Sequence, residues 1–374
     1  MIYFDNAATG GFKPRAVTDS AETVLKFLSA NPTRSGHRLA LAGAKTVENC
    51  REILAQAFLT QPDRVVFTKN CTEALNVAIF GSIKPNDHVI TTVYEHNSVL
   101  RPLFHLKELG VISLDVVSVT KDETILDAIK KCVTDRTRVI VTTSISNVTG
   151  EQLPIDKIGE FAKENGYTYI VDGAQGGGHM HISVKDTGIS LLALAGHKGL
   201  YGIMGSGALV LAEGVDVAPL IYGGTGSESF NLRQPDTYPE RLEAGTLNLP
   251  AIASLSEGVR YVLKNMDNFS KHLLSVTEKL ILNLSTIKNV TCYSVPNSAG
   301  IVSFALNNLP SSEVADILNS EYDVAVRGGL HCAPLIHQFL NTHEEGLVRA
   351  SISVQNSSSE ISYFLRAIAE LSAR

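Results

Sequence analysis

The sequence has few cysteines and no arrangement of them that predicts a cross-link. Its 374 residues include five, an odd number, and no two form a CxxC pair; they are Cys50, Cys71, Cys132, Cys292 and Cys332. This scatter predicts free thiols in a reducing cytosol. It argues against both a disulfide framework and a zinc site.

Long runs of one charge, internal repeats and low-complexity tracts are also missing. A net charge of −6 without such runs argues against nucleic acid or an anionic membrane as the main partner. The start of the chain has no basic segment followed by an apolar one, so no signal peptide is expected. The apolar segment 189–214 is interrupted by His197, Lys198 and several glycines, and it falls far short of a membrane span. We expect a soluble, cytoplasmic protein.

Strand-like and helix-like segments alternate through the first two thirds of the chain. Around residues 70, 95, 147 and 172, a β-branched run ends in a polar or glycine-rich turn, and a helical pattern follows. Continuous Val and Ile runs are typical of strands covered on both faces. Segment 189–214 is interpreted as two buried strands joined by a loop, the second over 207–214. The pattern predicts an α/β fold with a mostly parallel sheet sandwiched by helices.

The last third has a different order of elements. A long helix is expected from about Ala253 to about Asn283, then strands near 289–295 and 300–306, a helix over 311–322 and a closing helix over 359–373. A chain of this length is too long for one small core. We therefore predict a large α/β domain over 1–250 and a smaller C-terminal α+β domain over 251–374. The first 15 or so residues are allowed to pack with the smaller domain.

Polar residues follow the predicted strands of the large domain at the ends where ligands of open parallel sheets bind. They are Cys71, Thr72, His96, Asn147, Asp172, Gln175, His197 and Lys198. Lys198 lies in an apolar stretch, which favours the neutral, nucleophilic amine that a Schiff base requires. Asp172 follows the apolar strand YTYIV, where a carboxylate can keep a pyridine nitrogen protonated, as in pyridoxal phosphate sites.

Two further members of the set suit the same cofactor. Thr72 begins a helical pattern, where free N–H groups and the helix dipole suit a phosphate. His96 could cover a ring or move a proton. Each residue also has an ordinary interpretation, such as an N-cap for Thr72, a turn residue for Asp172 and a solvated loop residue for His96. Lys198 is the exception, because an unpaired lysine in so apolar a stretch is costly.

Seven motifs in a fixed order resemble the cysteine desulfurases, in the class V aminotransferase group of fold-type I pyridoxal 5′-phosphate enzymes. They are NCTEALN, EHNSVLRP, SNVTG, VDGAQ, GHKG, RLEAGTLN and RGGLHCAPL, and the similarity extends from YFDNAATG to GLVRASISVQNSSSE. The resemblance implies the fold-type I transferase fold. Residues 1–250 would bind the cofactor, and residues 251–374 would carry the Cys332 loop and Arg349.

The resemblance also implies a role for each residue around the cofactor. Lys198 would form the Schiff base, Asp172 would pair with the pyridine nitrogen, Gln175 would bind the phenolic oxygen and His96 would stack on the ring. The phosphate would be held by Thr72, His197 and the backbone N–H of Cys71. Thr246 of EAGT would reach the phosphate in the neighbouring subunit, which implies a homodimer. Relatives commonly carry a hydroxyl residue where this chain has Ala195, so one phosphate hydrogen bond is expected to be absent or supplied by water.

On the substrate side, the resemblance implies that Arg349 binds the carboxylate and that Asn147 lies near the amino acid. Cys332 would take sulfur from L-cysteine as a persulfide and leave L-alanine. His331 or a substrate-derived group could assist its ionisation, and Gly328 and Gly329 would permit loop movement. By itself Cys332 could equally be inert, whereas Cys50, Cys132 and Cys292 are interpreted as structural.

Three other activities stay open from sequence. They are a selenocysteine lyase, another class V aminotransferase or lyase, and a non-catalytic sulfur carrier. The sequence does not name the sulfur acceptor protein. It also leaves open whether the sulfur serves iron–sulfur cluster assembly, tRNA thiolation or selenium handling.

Overall fold

The structure is a computed structural model that describes residues 1–32, 36–119, 123–307 and 309–374. Its largest element is a seven-stranded sheet with the order β2-β8-β7-β6-β5-β3-β4. The strands are β2 (Val65–Thr68), β3 (His88–Thr92), β4 (Ser113–Val117), β5 (Thr137–Thr143), β6 (Thr168–Asp172), β7 (Leu191–Ala195) and β8 (Gly207–Leu211). Strand β8 is antiparallel to both neighbours, and the other pairings in the sheet are parallel. The predicted, mostly parallel sheet is confirmed.

Helices cover both faces of this sheet, which explains why its strands are apolar throughout. Helices α3 (Cys71–Ser82) and α4 (Asn97–Glu108) pack on one face. The other face is covered by α2 (Arg38–Phe58), α5 (Ile125–Lys131), α6 (Ile155–Glu164) and the first turns of α7 (Leu249–Ser285). Helix α1 (Arg15–Phe27) packs on α7.

The C-terminal third forms a second sheet with its own core. Antiparallel strands in the order β12-β13-β10-β9 comprise β9 (Val290–Cys292), β10 (Ile301–Leu306), β12 (Arg327–Gly329) and β13 (Leu347–Ser351). Around them lie α8 (Ser311–Tyr322), the short α9 (Pro334–Phe339) and α10 (Ser358–Ser372). This arrangement gives the α+β composition expected from the sequence.

Two elements connect the two sheets. Helix α7 contributes Leu249 and Val259 to the core of the large sheet and Leu273 and Leu284 to the core of the small one. A domain boundary near residue 250 therefore falls at the start of a continuous helix, and it stays a prediction. At the N-terminus, β1 (Ile2–Tyr3) pairs with β11 (Val324–Ala325) beside the small sheet. None of the described helices combines the length and hydrophobicity that crossing a bilayer takes.

Candidate active site

One cleft lies at the carboxyl ends of the parallel strands, where helices α3 and α4 begin. Eight residues predicted from the sequence line it: Cys71, Thr72, His96, Asn147, Asp172, Gln175, His197 and Lys198. They come from five different strand–loop junctions. The structure brings them together because parallel strands end at the same edge of a sheet.

Lys198 lies in the loop that follows β7. The strand is buried over its whole length, and the loop places the lysine amine at the bottom of the cleft. Burial is the main cause that lowers the pKa of Lys198, while the nearby Asp172 opposes this shift. A lysine with a lowered pKa is more often neutral, and a neutral amine is the form that attacks a carbonyl.

Asp172 ends β6 and is buried, with 3% of its surface exposed. Its Oδ1 accepts the backbone N–H of Ala174 at 2.9 Å and the thiol of Cys71 at 3.4 Å. Within the described residues, Oδ2 makes no hydrogen bond. Burial first, and then the negative charge of Asp172, raise the pKa of Cys71 well above its ordinary value. Cys71 is therefore a protonated donor to the carboxylate and not a nucleophile.

His96 is the N-cap of α4, and this position determines which of its ring nitrogens carries the proton. Its Nδ1 accepts the backbone N–H of Ser98 at 3.1 Å, so the proton of the neutral ring is on Nε2. Burial, helped by the positive charge of Lys198, lowers the pKa of His96 to about 4 although Asp172 opposes it. At neutral pH, His96 is therefore an uncharged ring.

Helix α3 begins at the opposite wall of the cleft. Asn70 caps it by accepting the N–H of Glu73 at 2.9 Å, and the first residues of the helix, Cys71 and Thr72, line the cleft. The hydroxyl of Thr72 lies 2.7 Å from that of Ser98. Helix N–H groups and two hydroxyls form an anion site. Ala195 lines the same cleft and adds no hydroxyl, as its position in the sequence indicated.

The N-terminal segment contacts two residues that line this cleft, and these contacts were not predicted from the sequence. Gln175 donates from Nε2 to the carbonyl of Ala7 at 3.0 Å. The Nδ1 of His197 lies 3.0 Å from the hydroxyl of Thr9. Burial is the main cause that lowers the pKa of His197 to about 4. No role was predicted for the motif YFDNAATG, and these contacts give it one, which is to pack against residues of the cleft.

Arg349, on β13, is buried at the small-sheet side of the cleft, with 1% of its surface exposed. Its guanidinium donates to the carbonyl of Asn147 at 3.0 Å and to the carboxylate of Asp5 at 3.1 Å. Its Nε–H is buried and has no partner among the described residues. Burying a charged donor without a partner is costly, so this N–H indicates a site for an anion.

Cys332 is exposed and lies in a short, tethered turn. Its carbonyl accepts the N–H of Asn97 at 2.7 Å, and the carbonyl of His331 accepts from the side chain of Asn147 at 2.8 Å. Both His331 and Cys332 have positive φ values, of 50° and 57°. The turn thus connects the thiol to α4 and to the loop after β5.

The structure bears on two expectations about this turn. Gly328 and Gly329 lie in strand β12, paired with β13, and a Cβ on Gly328 would lie 2.4 Å from the carbonyl oxygen of Ser311. Close packing explains glycine at 328, and a φ of 109° explains glycine at 329, while the loop movement stays a prediction. The imidazole of His331 donates from Nε2 to the carbonyl of Leu347 at 3.0 Å, and burial lowers its pKa well below the ordinary value. His331 makes no hydrogen bond to the Cys332 sulfur; among the described side chains, Arg327 does, with Nη2 at 3.8 Å from Sγ.

The remaining predicted residues lie away from the cleft. Thr246 is exposed on the long connection between β8 and α7, where its hydroxyl accepts from Asn31 at 3.4 Å. Cys50 is in the core, and Cys132 and Cys292 are partly buried at the end of α5 and in β9. These positions agree with the structural interpretation of the three thiols.

Comparison with known proteins supports one family. The model of the aminotransferase class-V family matches residues 2–364. A probable cysteine desulfurase of Methanothermobacter thermautotrophicus is 34% identical over 96% of this chain and 92% of its own length. A second, from Pyrococcus abyssi, is 33% identical over 99% of this chain and 94% of its own length.

Solved structures agree with this family. An apo cysteine desulfurase from Thermococcus onnurineus NA1 superposes with a TM-score of 0.92 at 31% identity, covering 100% of this chain and 94% of that one. The cysteine desulfurase CsdA from Escherichia coli gives a TM-score of 0.89 at 25% identity, covering 99% and 94%. The chain therefore belongs to the aminotransferase class-V family and, within it, to the cysteine desulfurase family. The resemblance inferred from the sequence motifs and the fold-type I expectation are confirmed.

Proposed function

We propose that this protein is a pyridoxal 5′-phosphate-dependent cysteine desulfurase that converts L-cysteine to L-alanine and takes the sulfur onto Cys332 as a persulfide. One observation carries the proposal. An exposed thiol is tethered at the mouth of a cleft whose interior holds a lysine of lowered pKa and a buried carboxylate.

The donor set of the cleft fits the cofactor. Lys198 would supply the amine for its aldehyde, and Oδ2 of Asp172, which has no hydrogen bond within the described residues, would accept a pyridine N–H. The start of α3, with the hydroxyl of Thr72, suits a phosphate. Gln175 has one amide N–H committed to Ala7 and a second for the phenolic oxygen, and His197 lies beside Lys198 for the phosphate. His96, uncharged at neutral pH, suits stacking on an aromatic ring.

Bound in the cleft, the cofactor would supply an electron sink for bonds at the substrate α- and β-carbons. The Nε–H of Arg349 binds the substrate carboxylate, and Asp5 and Asn147 hold the guanidinium in place. The amine of Lys198 takes the α-proton, which its lowered pKa favours.

The substrate sulfur is then transferred to Cys332. Its thiolate forms a bond to the substrate sulfur while the bond between that sulfur and the β-carbon breaks. The electron pair stays on the β-carbon, which takes up a proton and becomes the methyl group of alanine, and the protonated amine of Lys198 returns a proton to the α-carbon. The products are L-alanine and a persulfide on Cys332, which a sulfur-acceptor protein or a reductant removes.

We further propose that the protein acts as a cytoplasmic homodimer. The connection between β8 and α7 carries fully exposed apolar side chains, Phe230 and Leu232 among them, which a second copy would cover. Thr246 lies on the same connection and is available to the partner's cofactor. Five unpaired cysteines suit a reducing cytoplasm.

The test measures alanine released from L-cysteine by the purified, cofactor-loaded protein. Cys332→Ala should lower the rate at least about 100-fold, and the control Cys132→Ala should leave it unchanged. Full activity of Cys332→Ala on cysteine would contradict the proposal. If Cys332→Ala kept its activity on L-selenocysteine but lost it on L-cysteine, the protein would be a selenocysteine lyase. Keto products without a persulfide would indicate another class V activity. A visible absorption band that Lys198→Ala does not remove would refute the Schiff base.

A further inference from the structure

Arg327 is a cation close to Cys332, and the proposed function assigns it no role. It begins β12 and lies directly opposite Arg349 in the antiparallel pair with β13. Two like charges facing each other across a strand pair destabilise the sheet. A fold that keeps both therefore needs anions to offset them.

The two arginines differ in their partners. Arg349 has the carboxylate of Asp5 at 3.1 Å. No ion pair with a carboxylate is formed by Arg327 within the parts of the chain that the structure describes. Its contact there is with Sγ of Cys332, at 3.8 Å from Nη2. The guanidinium is thus uncompensated and directed at a thiol.

The charge of Arg327 also reaches the interior of the cleft. Burial is the main cause that lowers the pKa of Lys198 and of His96, and the charge of Arg327 lowers both further. Arg327 is therefore near enough to the cleft for its charge to act on Lys198 and His96. A cation at this position is close to the sulfur of Cys332 both before and after the substrate sulfur is transferred to it.

We infer that Arg327 is a positioning residue that holds the sulfur of Cys332 as an anion, first as the thiolate that attacks and then as the persulfide anion that forms. The part of this inference that concerns the persulfide anion rests on the proposed function. The part that concerns the thiolate applies to the free protein, because the contact between Nη2 and Sγ exists without substrate. A guanidinium suits this task, since it is a planar cation with several N–H donors.

The alternative role for Arg327 is a second donor to the substrate carboxylate. Arg349 keeps only its Nε–H and the remaining hydrogens of its Nη groups for that carboxylate. A second arginine could complete the site. The two roles predict different kinetics, because carboxylate binding affects KM and thiolate positioning affects kcat.

The first experiment measures how fast iodoacetamide alkylates Cys332 in the cofactor-loaded protein at pH 7, without substrate. Alkylation requires the thiolate. Arg327→Gln should slow the reaction about five-fold, which corresponds to about 1 kcal/mol at 1.36 kcal/mol per ten-fold. Arg327→Lys, which keeps the charge, should stay within about two-fold of wild type by the same reasoning. The control Arg366→Gln, on the exposed face of α10, should change nothing.

Equal alkylation rates in wild type and Arg327→Gln would overturn the inference. This readout does not depend on desulfurase activity. A slower alkylation in a protein that releases no alanine would therefore keep the Arg327 inference and refute the proposed function.

The second experiment compares KM and kcat for alanine release from L-cysteine. Arg327→Gln should lower kcat with little change in KM, and Arg327→Lys should recover most of kcat. A raised KM with unchanged kcat would assign Arg327 to the carboxylate and would also overturn the inference.

Discussion

Glu95 provides the sharpest stability prediction. It precedes His96 and is fully buried. Its Oε1 accepts the hydroxyl of Thr92 at 2.6 Å and the N–H of Thr143 at 3.0 Å, whereas its Oε2 has no partner among the described residues. Burial, the largest cause, raises the pKa of Glu95 from 4.5 to about 8, although both hydrogen bonds oppose it.

The direction of the pH dependence follows from proton binding. The folded protein holds this proton up to about pH 8, whereas the unfolded chain releases it near 4.5. Between these values unfolding releases a proton, so rising pH favours the unfolded state. Each pH unit in the window costs about 1.4 kcal/mol, and the whole window costs about 5 kcal/mol.

Glu95→Gln removes the titration and keeps an oxygen that can accept both hydrogen bonds. The free energy of unfolding is measured by urea titration of the cofactor-loaded protein from pH 5 to pH 9. The variant should gain stability relative to wild type, by about 3 kcal/mol between pH 5 and pH 7. The control Glu108→Gln changes an exposed carboxylate on α4 and should follow wild type. Parallel curves for Glu95→Gln and wild type would refute the reasoning.

Two further predictions concern packing. Arg51 and Glu243 form a buried, two-pronged ion pair at 2.9 and 2.8 Å, so Glu243→Ala should lower the free energy of unfolding by about 3–5 kcal/mol. A loss below about 1 kcal/mol in urea unfolding would place the pair among the weak surface bridges. Gly328→Ala should cost about 1–3 kcal/mol because its Cβ would meet the carbonyl of Ser311, whereas Gly223→Ala has ordinary contacts and serves as the control. Equal melting temperatures for the two alanine variants would contradict the packing argument.

The sheet and most of the cleft could be predicted because the signals are local. Continuous apolar runs identified β3, β5, β6 and β7, and each polar residue directly after a strand then fell on the same edge. Lys198 stood out because it interrupts an apolar segment. These inferences need no knowledge of how distant segments meet.

The contacts that the sequence did not predict are either long-range or set by unusual backbone geometry. Asp5 and Arg349 are separated by 344 positions, and no local pattern links them. Whether His331 or Arg327 faces the Cys332 sulfur depends on the backbone of a turn with two consecutive positive φ values, at residues that are not glycine. Residue types alone do not predict that geometry, since positive φ is uncommon outside glycine.

Mass spectrometry of the purified protein after brief incubation with L-cysteine tests the central claim most directly. We predict a mass gain of one sulfur atom on the peptide that contains Cys332, reversed by a thiol reductant and absent after the Lys198→Ala substitution. Alanine formation with no added sulfur at Cys332, or with the sulfur on a different cysteine, would contradict it.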